Sequence, residues 1–330
     1  MSAQHTSRPA ASYDAVRRHA GWIDKRLRGR LRFEGDDRAS FLHALVSNDV
    51  AALQPGQGVY ATYLTPQGRL IAELRIYCAS DYLLADVPAG VAENLVERFD
   101  QIIFTERVSI QNVSQSLAQI GVIGAEAASV VASLYGVEPH RVQQLPTLSH
   151  VAVDGTLIAR TDDTSLPGFD LFIASTSSHA LLEKLARIDV SEASESVVEA
   201  LRIEAGRPLF GVDMTDETIP LEAGLLDRAI STSKGCYVGQ EVIIRVLHRG
   251  AGRVAKKLVQ FTLEVGRKEI PRAGATISTD DKPTGRITSA AWSDGQQRVV
   301  ALGYVHRDVA EVGRRVSIDG RDAEIVGLAG

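Results

Sequence analysis

The sequence predicts an α+β fold, a body of two sheet-containing subdomains followed by a small β-barrel, and three observations carry that expectation. Short apolar runs alternate and are joined by tight turns, which favours antiparallel pairing over a doubly wound sheet. The order strand, hairpin, helix occurs twice before residue 210. After Gly250 only short β-rich runs remain, five or six in about 80 residues, the grammar of a small barrel. The expected divisions are a disordered tail over 1–12, a body over 13–249 with an internal boundary near 115, and a barrel over 250–330.

In chain order, Asp36 or Asp37 is placed to cap a helix whose Phe41, Leu42, Leu45 and Val46 share a face. Gln54–Gly58 is a turn, Val59–Leu64 a strand, and Thr65-Pro66-Gln67-Gly68 the turn after it. In the next strand Leu70, Ala72, Leu74, Ile76 and Cys78 fall on one side and Glu73, Arg75 and Tyr77 on the other. Cys78 is therefore expected in the core. Tyr82–Val87 returns, and Val91, Leu95, Phe99 and Ile102 follow at helical spacing. A second unit begins near Leu117 and includes the strand Gly168–Ala174 and a helix over His179–Ala186. A further helix from Glu195 to Ala205 has Ser194 as N-cap and Gly206 as its stop. In the barrel, strands are expected at Val259–Leu263, Ala275–Ser278, Arg286–Ala290, Val299–Val305, Arg315–Ile318 and Ala323–Val326.

Composition narrows the function classes. With 330 residues the chain can bury a large core, and its net charge of −5 argues against a general nucleic-acid coat. Two cysteines supply neither a disulfide framework nor the four thiolates of an iron–sulfur cluster, so no stable metal is expected in a monomer. No apolar run approaches the roughly 20 residues of a membrane span, and the opening residues lack a signal-peptide core. A cytoplasmic setting is expected. Phosphate-loop, zincin and nucleophile-elbow motifs are absent.

Chemistry concentrates in Lys234-Gly235-Cys236-Tyr237-Val238-Gly239-Gln240-Glu241. A cysteine between two glycines, two residues after a lysine and just before a helix start at Gln240, has the setting of an ionisable, accessible thiol. Glycines on both sides imply a backbone that something approaches closely. The rival account is a small apolar residue in a tight loop. His248 is the histidine nearest in sequence; it either pairs with the thiol or is simply solvated beside Arg249.

This octapeptide resembles the signature of the YgfZ-type folate-binding proteins, relatives of the glycine-cleavage T-protein (aminomethyltransferase). Leu201–Gly206, Ile219–Leu225, Gly29–Phe33 and Ser47–Val50 are similar to further stretches of that superfamily, in the same order. The resemblance implies a T-protein-like body with a C-terminal barrel and a central cavity for tetrahydrofolate or a related reduced folate. It places Tyr63, Arg202, Glu204 and Asn48 as candidate folate contacts. Arg202 equally suits an exposed helix residue paired with Glu199 or Glu204, and Tyr63 a filler of a sheet face.

Two departures bear on catalysis. Where the aminomethyltransferases carry an Asp-Asp pair, this chain has Ala72-Glu73; where their glutamate grips the pterin, it has Leu166. Such losses remove positioned electrostatic partners of the reaction. Between Arg228 and Lys257 basic residues outnumber acids, and Arg245, Arg249 and Arg253 are candidates for an anion or partner patch, or for an ordinary solvated surface. The leading expectation from the resemblance is a folate-binding accessory protein for the assembly or repair of iron–sulfur clusters in client proteins, radical tRNA-modifying enzymes among them, with Cys236 as functional thiol and Lys234 favouring its ionisation. The alternatives are a tetrahydrofolate-dependent one-carbon transferase and an RNA-binding protein using 228–257.

Overall fold

The computed structural model describes residues 10–248 and 252–330. Helix α1 (Tyr13–Arg18) is capped by the Ser12 hydroxyl, which accepts from the Ala15 amide, and Ala11 bridges Ala193. Residues 10–12 are thus held to the body, which shortens the expected tail; residues 1–9 lie outside the described residues. Strand β1 (Gly21–Asp24) leads through a four-residue turn into β2 (Gly29–Glu34) and α2 (Arg38–Leu45). Asp37 is the N-cap of α2, yet its carboxylate accepts from the Arg107 amide at 2.8 Å instead of capping the helix.

Strands β3 (Gly58–Leu64), β4 (Leu70–Cys78) and β5 (Tyr82–Val87), then α3 (Ala92–Asp100) and β6 (Ser109–Asn112), complete the first unit. Its antiparallel sheet runs β3-β4-β5-β2-β6 and packs Leu31, Leu74, Ile76 and Ala85 against Phe41, Leu95 and Phe99. Cys78 is buried in this core, as its place in the apolar phase of β4 requires.

The second unit holds β7 (Leu117–Ile123), α4 (Ala127–Tyr135), α5 (Pro139–Gln143), β8 (His150–Val153), β9 (Thr156–Thr161), β10 (Gly168–Ala174) and α6 (Ser178–Arg187). Its sheet runs β1-β7-β10-β9-β8, so β1, first in the chain, belongs to the second sheet. The inner faces of the two sheets meet at Tyr77, Leu84, Leu157 and Phe172, with the Tyr77 and Phe172 rings 5.4 Å apart.

Helices α7 (Glu195–Glu204), α8 (Leu226–Ala229) and α9 (Gln240–His248) connect this body to the barrel, and Gly206 ends α7 at φ +66°. The barrel closes in the order β11-β14-β13-β12-β15-β16 from β11 (Lys256–Leu263), β12 (Thr276–Thr279), β13 (Lys282–Ser293), β14 (Arg298–His306), β15 (Arg315–Ile318) and β16 (Arg321–Leu328). Closure leaves no free edge, which a run of short strands would otherwise expose. Helix α7 packs on the barrel through Ala200 and Ile203 against Val300 and Leu302.

Candidate functional site

A cavity of about 450 Å³ lies where the two sheets meet α7. Its apolar walls include Ile23, Ile123, Val198 and Leu209. Its polar lining sets six cationic side chains, Lys25, Arg28, Arg75, Arg202, Arg207 and Arg228, beside five carboxylates, Asp24, Asp163, Glu192, Glu195 and Glu199. Lys25 and Arg28 come from the β1–β2 turn, which the buried Arg30 guanidinium pins by donating to the carbonyls of Lys25 (3.3 Å), Arg26 (3.1 Å) and Ser114 (2.7 Å). Arg75 is supplied by β4, whose second face is buried against the other sheet rather than solvated.

Six cations in one cavity require buried counter-charge. Arg28 Nε donates to Asp86 at 2.5 Å. Arg75 reaches Asp86 at 3.4 Å and Asp163 at 2.8 Å. Lys25 sits between Asp163 (2.8 Å) and Asp170 (2.7 Å). Arg207 and Arg228 share Asp162, and Arg202 bridges Glu199 and the buried Asp213. Desolvation would raise the carboxyl of Asp163, yet Arg75 and Lys25 hold it far below the usual carboxylate range; burial outweighs Lys25 at Asp170 and raises it. Arg28 Nη2 and Glu73 Oε1 are buried without a hydrogen-bond partner.

Glu73 is 1% exposed and lies behind the cavity wall. Tyr60, which lines the cavity, donates its hydroxyl to the Oε2 of Glu73. Ala72 points into the core of the first sheet. Tyr60 is the one aromatic ring among the lining residues, and the Arg75 and Arg228 guanidiniums lie 5.6 Å and 5.2 Å from its centroid.

Of the four folate contacts expected from the sequence, Arg202 alone lines this cavity. Tyr63 packs in the first core, 5.1 Å from the Phe99 ring. Asn48 donates to the Tyr60 carbonyl at 2.8 Å and so braces a loop. Glu204 accepts from the hydroxyls of Tyr13 (2.9 Å) and Ser293 (2.5 Å), tying α1 and the barrel to α7. The expectation missed Lys25, Arg28, Arg75, Asp163 and Arg207; a legible signal was the pair of charges, Glu73 and Arg75, on one face of a central strand opposite Asp86.

The cysteine motif forms a second feature. Cys236 is exposed and is not among the residues lining the cavity. Lys234, expected to favour ionisation of the thiol, hydrogen-bonds elsewhere: its ammonium donates to the His43 carbonyl and, at 2.6 Å, to that of Val46, at the C-terminal end of α2. There it meets carbonyls left without intrahelical partners, and burial pushes its pKa down to about 8. Tyr237 is buried beside Tyr60, Leu64 and Leu70, and burial pushes its phenol up to about 12. A Cβ on Gly239 (φ +82°) would lie 2.5 Å from the Thr65 carbonyl oxygen, whereas Gly235 faces open space. Close approach therefore applies to one of the two glycines. Gln240 does begin α9, with Glu241 exposed in its first turn. His248 sits at the far end of α9, about 12 Å along the axis, so it is no partner of the thiol.

The basic segment does not form one surface. Arg228 is in the cavity wall, Lys234 caps α2, and Lys256 lies 4.7 Å from the Tyr304 ring centroid. Arg245 and Arg253 are exposed, and Arg249 lies outside the described residues. Among the described residues no group of His, Cys, Asp and Glu is arranged to hold a metal ion, and no helix is long and apolar enough to cross a membrane.

Comparison with known proteins gives matches along nearly the whole chain. The GCVT N-terminal domain matches residues 3–234, and the glycine cleavage T-protein C-terminal barrel domain matches residues 256–327. An aminomethyltransferase of Geobacillus kaustophilus is 30% identical over 316 residues, covering 93% of this chain and 85% of the relative. One from Bacillus subtilis is 28% identical over 317 residues, with the same coverage of 93% and 85%. Among solved structures, the glycine cleavage system aminomethyltransferase T from Bartonella henselae aligns with a TM-score of 0.85 at 22% identity, over 96% of this chain and 87% of that one.

Proposed function

Because this chain belongs to the glycine cleavage T-protein family, with both its N-terminal domain and its C-terminal barrel, we propose that its central cavity binds a reduced folate. The fit is physical. A volume of about 450 Å³ suits the ring system of a folate, and Ile23, Ile123, Val198 and Leu209 offer it apolar flanks. The guanidiniums of Arg28, Arg75, Arg207 and Arg228 would meet its carbonyl and carboxylate oxygens, and Arg28 Nη2 stands ready as a donor. When bound, a reduced folate supplies a one-carbon carrier; the chain's own residues bind it, orient it and exclude water.

The relatives' shared name supports tetrahydrofolate-dependent aminomethyl transfer, the one-carbon transferase alternative given above. The side chains of this chain support a folate-binding accessory role of the YgfZ type instead. One observation carries it: the only carboxylate at the matching strand position, Glu73, is sealed behind Tyr60, and Ala72 brings no ionisable group. Neither position presents an acid among the residues that line the cavity. The exposed Cys236 is then the group offered to partners, and iron–sulfur client enzymes, tRNA-modifying ones among them, are the partners implied. Transient ligation of a client's cluster or thiol exchange both suit a single exposed thiol.

Two measurements test this. The purified protein is expected to bind 5-formyltetrahydrofolate without catalysing tetrahydrofolate-dependent release of ammonia from an aminomethyl donor; turnover above about 1 s⁻¹, ordinary for an enzyme, moves the transferase reading to the front. In a strain lacking the gene, wild type is expected to restore the activity of a cluster-dependent tRNA-modifying enzyme and Cys236→Ser to fail. Equal rescue by the serine variant removes the thiol from the account.

A further inference from the structure

We propose that Asp163 is the specificity-determining residue of the cavity, the acceptor that reads a paired N–H edge on a planar heterocycle such as a 2-amino-4-oxopyrimidine. The inference rests on the folate reading of the same cavity and names the group that selects the ring.

The polar lining holds six cationic side chains and five carboxylates. Six side chains, Lys25, Arg28, Arg75, Arg202, Arg207 and Arg228, offer only donors, so they can satisfy a ligand's carbonyls, ring acceptors and carboxylates but none of its N–H groups. An amino-substituted heterocycle brings N–H groups that cost free energy if they are buried unmet. Four other carboxylates border the cavity. Asp24 is wrapped by Arg26, through its amide at 2.9 Å and its Nε at 2.9 Å. Glu199, likewise bonded through both oxygens, to Arg202 at 2.9 Å and 2.7 Å, has its side chain 32% exposed. Glu192 and Glu195 are exposed at the rim, where water competes.

Asp163 differs from all four in depth. Its side chain is 22% exposed, and it sits among the cations with Oδ1 2.8 Å from Arg75 and Oδ2 2.8 Å from Lys25. An ionised carboxylate has about four acceptor positions; the two cations use one on each oxygen, which leaves one on each. One acceptor position on each of two oxygens is the complement of two neighbouring N–H groups, as when a carboxylate takes a fork of donors. Lys25 and Arg75 also hold the carboxylate from the β1–β2 turn and from the interior of β4, so its orientation is set before a ligand arrives.

The loop that carries it supports the assignment. Between β9 and β10 the chain reads Asp162-Asp163-Thr164-Ser165-Leu166. Leu166, at the position where the aminomethyltransferases have a pterin-gripping acid, packs in an apolar cluster with Val197 and Leu201. Asp162, next to Asp163, is taken by Arg207 and Arg228. Of this loop, Asp163 is the acid left to face the cavity.

The test is calorimetric titration with 5-formyltetrahydrofolate and its 2-desamino analogue. Wild type is expected to prefer the amino compound about 10- to 100-fold, the range for a hydrogen bond to a charged acceptor, and Asp163→Asn to bind the two within about twofold of each other. Asp163→Glu keeps the charge that Lys25 and Arg75 need, and so the fold; moving the oxygens by one methylene is expected to cut the preference at least about fivefold. Equal binding of the two compounds by wild type overturns the proposal, as does an undiminished preference in whichever variant folds. If wild type takes up neither compound, the folate reading itself fails, a result distinct from binding without discrimination.

Discussion

At the scale of single residues, the two glycines around Cys236 separate cleanly. Gly239→Ala forces a side chain into the left-handed region and against the Thr65 carbonyl, so a loss of about 1–3 kcal/mol is expected in denaturant unfolding. Gly235→Ala faces open space and is expected to stay within about 0.5 kcal/mol. Equal effects at the two positions would contradict the packing of the motif on the Thr65–Gly68 turn. The sequence marks both glycines alike, because nothing local says which one another loop will touch. Lys234 gives the same lesson: two positions from the cysteine in sequence, it spends its ammonium on the end of α2. The motif was legible as a motif, but the division of labour inside it depends on contacts with residues 43–68.

At the scale of elements, periodicity carries far because it reports which face is buried. The alternation along β4 placed Cys78 and Leu74 correctly in the core. It could not show that the opposite face, with Glu73 and Arg75, meets a second sheet instead of water. Strand β8 holds a related surprise. His150 is 6% exposed, edge-on to Tyr77 with ring centroids 5.9 Å apart, and burial pushes its pKa from 6.5 down to about 4. Between those two values the unfolded chain binds the extra proton and the folded chain does not. The stabilising difference is complete above pH 6.5 and is lost as the pH falls toward 4, on the order of 3 kcal/mol. His150→Phe preserves the edge contact and is expected to flatten that part of the stability–pH curve; an unchanged slope would mean the imidazole is hydrated in the folded protein.

At the scale of the whole molecule, the cavity is assembled from the β1–β2 turn, β4, the β9–β10 loop, α7 and the stretch around Arg228. Residues so far apart in sequence have no common local signal, which is why four candidate contacts drawn from matching segments yielded one cavity residue while the barrel, built from neighbouring strands, was read strand by strand. A ligand gripping all these pieces should stabilise them together. At 100 times its dissociation constant, 5-formyltetrahydrofolate is expected to add about 2.7 kcal/mol to unfolding, seen as an upward shift of the whole melting transition; a shift confined to one early phase would mean that the ligand engages a single unit. The exchange of β1 into the second sheet also has a temporal side. On the ribosome Asp24 emerges on the order of ten seconds before Leu117, at typical rates of synthesis. The first sheet can close while β1, the strand synthesised first, still waits for β7 and then for Ser191 and Ala193, which bond the Trp22 backbone.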